Sequence, residues 1–289
     1  MSKFIPWNSQ PLDVWADQYA EGEFIDLAGH KTHFIERGQG KPVVLVHGFN
    51  LDSHTWIKNI DHLAARFKVY APDLWGQGYS TRQPLDYGYD LFEKQIRLFM
   101  EAKDINKASL IGHSMGAGTA IVFSLKNSDK VDKLVLVDSS GIPTSLPFRA
   151  RLFRLKGVAE LLMSLRTDRI RRKNLRDIWI NNHDLLTDDY YRKFVNYQKI
   201  EGTTEAVLTI LRNDFFNTLE DEIRELAHLD IPKFIIWGRE DKSLTIRCAE
   251  KMHHMMPGSR LEILDNAGHL ANFDSAEKFN ELVIDFLND

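Results

Sequence analysis

Apolar residues fall along this chain in two patterns. Short runs occupy positions 43–46, 69–71, 108–111, 134–137 and 234–237, with Ser109 the one polar interruption. Such a run fits a strand buried on both faces, as in a parallel sheet. Positions 260–264 form a further strand-like run. Residues 24–27 and 31–36 flank Ala28-Gly29-His30, which predicts a hairpin. In the second pattern apolar residues recur every three or four positions. It covers 53–67, with Trp56, Ile60, Leu63 and Ala64 on one face, and also 90–102, 117–125, 245–256 and 276–287. Each predicts a helix. Strands alternating with helices predict an α/β fold with a mostly parallel central sheet flanked by helices.

The alternation stops between residues 142 and 225, where the pattern is helical throughout. The expected layout is a core in two parts, 1–141 and 226–289, with 142–225 as a helical cap or lid over the site. Residues 1–21 are mixed and expected to pack over the core surface. There is no internal repeat and no low-complexity tract. Charge inside the insertion is uneven. Ten basic residues (Arg149, Arg151, Arg154, Lys156, Arg166, Arg169, Arg171, Arg172, Lys173 and Arg176) face only Glu160 and Asp168 in the same stretch. The expectation is a solvated helix face paired with acids from 177–225. Contact with an anionic membrane is the alternative. Leu152, Phe153, Leu161, Leu162, Met163 and Leu165 are expected to line the core or pocket.

Composition narrows the class. The 289 residues suit one core with an insertion, and 43% hydrophobic content is enough to fill it. A net charge of −4 does not favour a nucleic-acid partner. The single cysteine, Cys248, excludes an intrachain disulfide. The first ten residues lack a basic-then-apolar signal pattern, and no apolar run approaches the ~20 residues that span a bilayer. These features predict a cytoplasmic protein without stable membrane insertion. Oligomeric state leaves no trace in the sequence.

The chemistry begins at Gly112-His113-Ser114-Met115-Gly116, a G-x-S-x-G pattern between an apolar run and a helical one. A serine on so sharp a strand-to-helix turn is strained. Glycines on both sides remove the Cβ atoms that would collide. The hydroxyl is left exposed beside the N–H groups that open the helix. Serine needs a base, and the base needs an orienting acid. His269 lies in Asp265-Asn266-Ala267-Gly268-His269-Leu270, just past a strand. Asp241 follows the strand that ends at Gly238. The order Ser114, Asp241, His269 places all three at the carboxyl edge of a parallel sheet. Val43 to Val46 runs into His47-Gly48-Phe49-Asn50. The main-chain N–H groups of Phe49 and Met115 are the expected oxyanion donors. Asp138 also ends a strand and is the alternative acid. Glu240 is expected to point away. His47 and His113 are expected to be structural, and His253 and His254 to lie at the surface. Asp73 is expected to fix its own loop.

On these residues the chain resembles the α/β-hydrolase superfamily, in its serine esterase and lipase branch. The resemblance rests on His47-Gly48-Phe49, Asp73-Leu74-Trp75-Gly76-Gln77-Gly78-Tyr79-Ser80, Gly112 to Gly116, Gly238 to Asp241 and Gly268-His269, and covers nearly the full length. It implies a nucleophile at Ser114, an acid at Asp241 and a base at His269. Ser114 stands where haloalkane dehalogenases and epoxide hydrolases carry aspartate.

The function expected from the sequence is a carboxylic-ester hydrolase working through an acyl-enzyme, on a small and apolar substrate, with no metal or organic cofactor. The alternative is a carbon–carbon bond hydrolase of vinylogous diketones from aromatic ring cleavage. Those relatives share the Ser-Met-Gly elbow, but usually carry asparagine before the serine and tryptophan after the histidine. Here these positions are His113 and Leu270. A non-enzymatic ligand-binding member of the fold is a third reading. An intact set of three catalytic residue types weighs against it.

Overall fold

The computed structural model describes residues 5–144, 155–165 and 167–289. Eight strands form one sheet: β1 (Glu23–Leu27), β2 (His30–Arg37), β3 (Pro42–Val46), β4 (Lys68–Pro72), β5 (Ala108–His113), β6 (Val131–Val137), β7 (Lys233–Gly238) and β8 (Arg260–Leu264). Their order is β1-β2-β4-β3-β5-β6-β7-β8. β2 is antiparallel to β1 and to β4, and every later pairing is parallel. The hairpin turns where the sequence placed it. Ala28 and Gly29 both have positive φ, 55° and 85°, as a two-residue hairpin turn of matching twist requires.

The helices are α1 (Leu12–Tyr19), α2 (Ile60–Ala64), α3 (Tyr89–Ala102), α4 (Met115–Lys126), α5 (Val158–Ser164), α6 (Asp168–Asn174), α7 (Asp188–Val195), α8 (Thr203–Asn213), α9 (Glu220–Leu226), α10 (Ile246–Met255), α11 (Ala271–Asp274) and α12 (Ala276–Asn288). They cover both faces of the sheet. Val44, Val46, Ile235 and Trp237 pack in one apolar cluster with α3, α4, α9 and α10. Val43, Leu45, Phe234 and Ile236 pack in another with α2 and α12. Strand residues of both parities are therefore buried, which is why the strands read as apolar runs.

The predicted helix over 53–67 is instead a 3₁₀ turn, Ser53–Trp56, followed by the short α2. Side chains and neighbours compete here with the helical ladder. The Asp52 carboxylate accepts the His54 N–H at 3.0 Å, and Asp73 accepts the Ser53 N–H at 2.7 Å. Three residues after the turn, Asn59 donates to the Asn272 carbonyl and to Asn280 Oδ1. Trp56, Ile60 and Leu63 are buried as expected, while Ala64 is half-exposed.

Between β6 and β7 the elements formed by the described residues are all helices, joined by turns, and none joins the sheet. One turn of π-helix, Leu175–Trp179, follows α6. The last helix of the segment, α9, packs through Ile223 and Leu226 in the main sheet cluster. The cations pair partly with acids further along: Arg172 with Asp188, and both Lys173 and Arg176 with Asp177. Arg149, Arg151, Leu152, Phe153, Arg154 and Arg166 lie outside the described residues. Met163 is buried, but Leu161 and Leu165 are not pocket-lining as expected: they are 59% and 60% exposed. The helix has one inward face, and Ala159 and Met163 occupy it against Val207 and Leu208 of α8.

The N-terminal residues grip this segment. Asn8 N–H donates to Gln198 O, Gln10 N–H to Lys199 O, and Glu201 N–H returns to Gln10 O. The Trp7 ring lies 4.0 Å from the Arg171 guanidinium carbon. Cys248 is buried in α10.

Candidate active site

Ser114 sits between the end of β5 and the first turn of α4, with φ 52° and ψ −118°. This is a left-handed backbone that a β-substituted residue occupies at a cost of about 1–3 kcal/mol. The neighbouring glycines are sterically required. A Cβ on Gly112 would lie 2.5 Å from the Ala117 Cα, and one on Gly116 would lie 2.2 Å from the Val46 carbonyl. The turn is also braced from β6. Ser114 N–H donates to Val137 O at 2.9 Å, and the Ser140 hydroxyl donates to Ser114 O at 3.0 Å.

The three residues from separate strand ends converge. His269 Nε2 is 3.0 Å from Ser114 Oγ, and His269 Nδ1 is 2.8 Å from Asp241 Oδ2. A carboxylate can only accept, so Nδ1 carries the proton and the Nε2 lone pair faces the serine hydroxyl. The other oxygen of Asp241 accepts the Ser243 and Leu244 N–H groups at 2.7 and 2.9 Å. Among the described residues neither the Phe49 nor the Met115 N–H donates a hydrogen bond. Phe49 lines the space above Ser114, and Met115 begins α4.

The remaining candidates do other work. Asp138 does not touch His269. Its two oxygens accept the Gly238 N–H at 2.8 Å and the Ala271 N–H at 3.1 Å. Burial, and then the nearby Asp241 charge, push its carboxyl well above the usual range. Glu240 turns away and accepts the Ala267 N–H at 3.0 Å. His113 Nε2 lies 2.6 Å from the His269 carbonyl, which accepts its proton. Burial, and then the neighbouring His269, lower its pKa well below the ordinary histidine value, so it is neutral. His47 Nε2 accepts the Leu74 N–H at 2.8 Å, so its Nδ1–H donates to Gly48 O. His253 bonds Ser259, and His254 is exposed. Among the described residues no three His, Cys, Asp or Glu side chains cluster as a metal site would need. Asp73 accepts from Ser53 N–H, Tyr79 N–H and His33 Nδ1, each at 2.7 Å.

Two cavities meet at the site. One of about 190 Å³ has Ser114 and His269 in its wall, with Phe49, Trp179, Phe216 and Leu244. A second, of about 340 Å³, shares Phe49, Leu51 and Trp179 with it and extends under α5, α6 and α8 to Met163 and Val207. Asn174, Gln198 and Arg171 give this far chamber its polar wall. Arg171 and Gln198 are both buried and bonded to each other. Sequence reasoning missed Trp179, Ser140 and Phe216. They sit in segments with no motif, and only the fold carries them to the serine.

A family model described as the alpha/beta hydrolase fold matches residues 41–276, and the chain belongs to that family. An uncharacterised protein of Mycobacterium tuberculosis is 30% identical over 92% of this chain and 81% of its own length. A 2-hydroxy-6-oxo-6-(2'-aminophenyl)hexa-2,4-dienoic acid hydrolase of Metapseudomonas resinovorans is 26% identical, over 92% of this chain and 90% of its own. Among solved structures, a meta-cleavage product hydrolase from Pseudomonas fluorescens superposes with a TM-score of 0.80 at 26% identity, covering 92% of this chain and 97% of that one. Fold and family together make the protein a hydrolase. Among the described residues no helix is long and apolar enough to cross a membrane.

Proposed function

We propose that this chain is a serine hydrolase that breaks a carbon–carbon bond beside the ketone of an acidic, vinylogous diketone. Ser114 Oγ adds to the ketone carbon while His269 takes its proton and Asp241 steadies the imidazolium. The Phe49 and Met115 N–H groups hold the oxyanion. The C–C bond then breaks, and its electron pair moves into the conjugated carbonyl. His269 returns the proton to the departing carbon. Water, deprotonated by the same histidine, splits the acyl-serine, so one water is consumed and a carboxylic acid and a shortened ketoacid are released. In this reading residues 142–225 act as a cap that forms the far chamber.

The observation that carries this reading beyond general serine hydrolysis is the likeness, over nine-tenths of the chain, to the dienoic acid hydrolases: 26% identity over 92% of this chain and 25% over 90%. His113 and Leu270 had pointed instead to ester cleavage, which remains the second reading. Both are buried and shape the scaffold: His113 grips the His269 backbone, and Leu270 packs in an apolar cluster with Leu51 and Phe273.

A ring-cleavage diketone acid run beside p-nitrophenyl esters of increasing chain length decides between the two. The expected result is a higher kcat/KM for the diketone, lost in Ser114→Ala. Ester turnover that outpaces the diketone would establish the second reading. A fluorophosphonate probe that still labels Ser114→Ala would remove the nucleophile assignment.

A further inference from the structure

The loop that carries His269 is held from outside the sheet as well as from within it. Asp274, at the end of α11, accepts three main-chain N–H groups. Its Oδ2 takes Gly268 N–H at 2.8 Å, immediately before His269. The same oxygen takes Asn181 N–H at 2.8 Å, and Oδ1 takes Asn182 N–H at 3.1 Å. The last two belong to the helical segment over the site. A fourth bond joins the same pieces, since Leu270 N–H donates to Trp179 O at 3.0 Å. The approach is tight enough to require glycine: a Cβ on Gly268 would lie 2.8 Å from Trp179 O and 3.1 Å from Asn181 N. Trp179 lines both cavities, and its ring centroid is 6.4 Å from that of His269.

We infer that Asp274 is a positioning residue that locks residues 179–182 to the His269 loop, so that the base is aligned on Ser114 only while this part of the cap is docked. The inference rests on Ser114 and His269 being the reacting pair. One carboxylate serves both sides of the joint. Whatever fills the chambers and presses on Trp179 is therefore felt at Gly268 through two short links. A charged acceptor shared by three amides is stiffer than separate neutral bonds. Its loss leaves all three N–H groups without their partner.

The test compares Asp274→Ala and Asp274→Asn with the wild type. Each is first shown to melt cooperatively and is assayed well below its melting temperature. The readout is the rate at which a small fluorophosphonate labels Ser114, which reports serine–histidine alignment and needs no knowledge of the natural substrate. Asp274→Ala should slow labelling by at least about tenfold, because sub-ångström misplacement of a base is costly. Asp274→Asn keeps one acceptor oxygen at nearly the same volume and should recover part of the rate. For a small ester the loss should fall on kcat rather than KM. Wild-type labelling rates in both folded variants, with only a lower melting temperature, would reduce Asp274 to a structural role and overturn the inference. A wild-type protein that does not react with the probe would overturn the hydrolase reading and this inference with it. If Asp274→Ala does not fold, the Asn variant decides: an unchanged rate overturns, a slowed one supports.

Discussion

At the scale of single residues, two aspartates of similar sequence context have been given different tasks by their surroundings. Asp241 accepts a histidine proton and two amides. Asp138 accepts two amides and joins the strand before Asp241 to the turn after His269. Asp241→Asn should leave the fold intact and reduce kcat by about 10⁴-fold, the magnitude known for loss of the orienting acid in another serine enzyme. Asp138→Asn should cost far less. Steady-state kinetics of the two purified variants check this, and an inactive Asp138 variant beside an active Asp241 variant would reverse the assignment. The serine, the histidine and both aspartates stood out in the sequence, because turn glycines and strand ends mark their places. Asp274 and Trp179 did not stand out. Nothing local distinguishes an aspartate ending a four-residue helix, or a tryptophan in a polar stretch, until the chain is folded.

At the scale of elements, the inner strands were legible because burial on both faces leaves long apolar runs in them, such as 43–46, 134–137 and 234–237. The 53–67 break was not, because its causes lie far along the chain, at Asp73, Asn272 and Asn280. The same limit applied to α5. Its apolar residues could be listed, but only packing against α8 shows which face turns inward. That face sets the size of the far chamber. In the wild type each added methylene that becomes fully buried there is worth about 0.8 kcal/mol, roughly fourfold in kcat/KM. Val207 lies in the chamber wall and is buried. Val207→Phe should flatten the chain-length profile for acyl groups that reach past Trp179 and leave the acetate ester nearly unaffected. A p-nitrophenyl ester series measures it. A profile that stays steep would mean that long acyl groups follow another route.

At the scale of the whole molecule, acid–base pairs beneath the site tie stability to pH. Burial opposes the charge of Asp73, but His33 and the Tyr79 N–H outweigh it and hold the carboxyl below the usual range. Burial lowers His33, and Asp73 more than offsets that, so His33 is raised above the ordinary histidine value. The signs follow. The contribution of Asp73 is present above the unfolded carboxylate value near ~3.9 and is lost as pH falls through its lower folded value. The contribution of His33 is complete below about 6.5 and is lost as pH rises through its higher folded value. The stability difference between the wild type and His33→Gln, measured by urea unfolding, should therefore shrink as pH rises above neutrality. A difference that stays constant through the alkaline range would show that His33 contributes packing rather than charge.

The clasp of residues 7–10 on the helical segment has a consequence for how selectivity can drift among relatives. Trp7 stacks on the guanidinium of Arg171, a residue of the far chamber's wall, and Asn8 and Gln10 hold the stretch of backbone that carries Gln198. These positions are not in the lining of either cavity at the site, yet they set where the chamber's polar wall stands. Two homologues with identical cavity linings can thus differ in the ligands they accept, and a specificity signature compiled from lining positions alone would score them as the same enzyme.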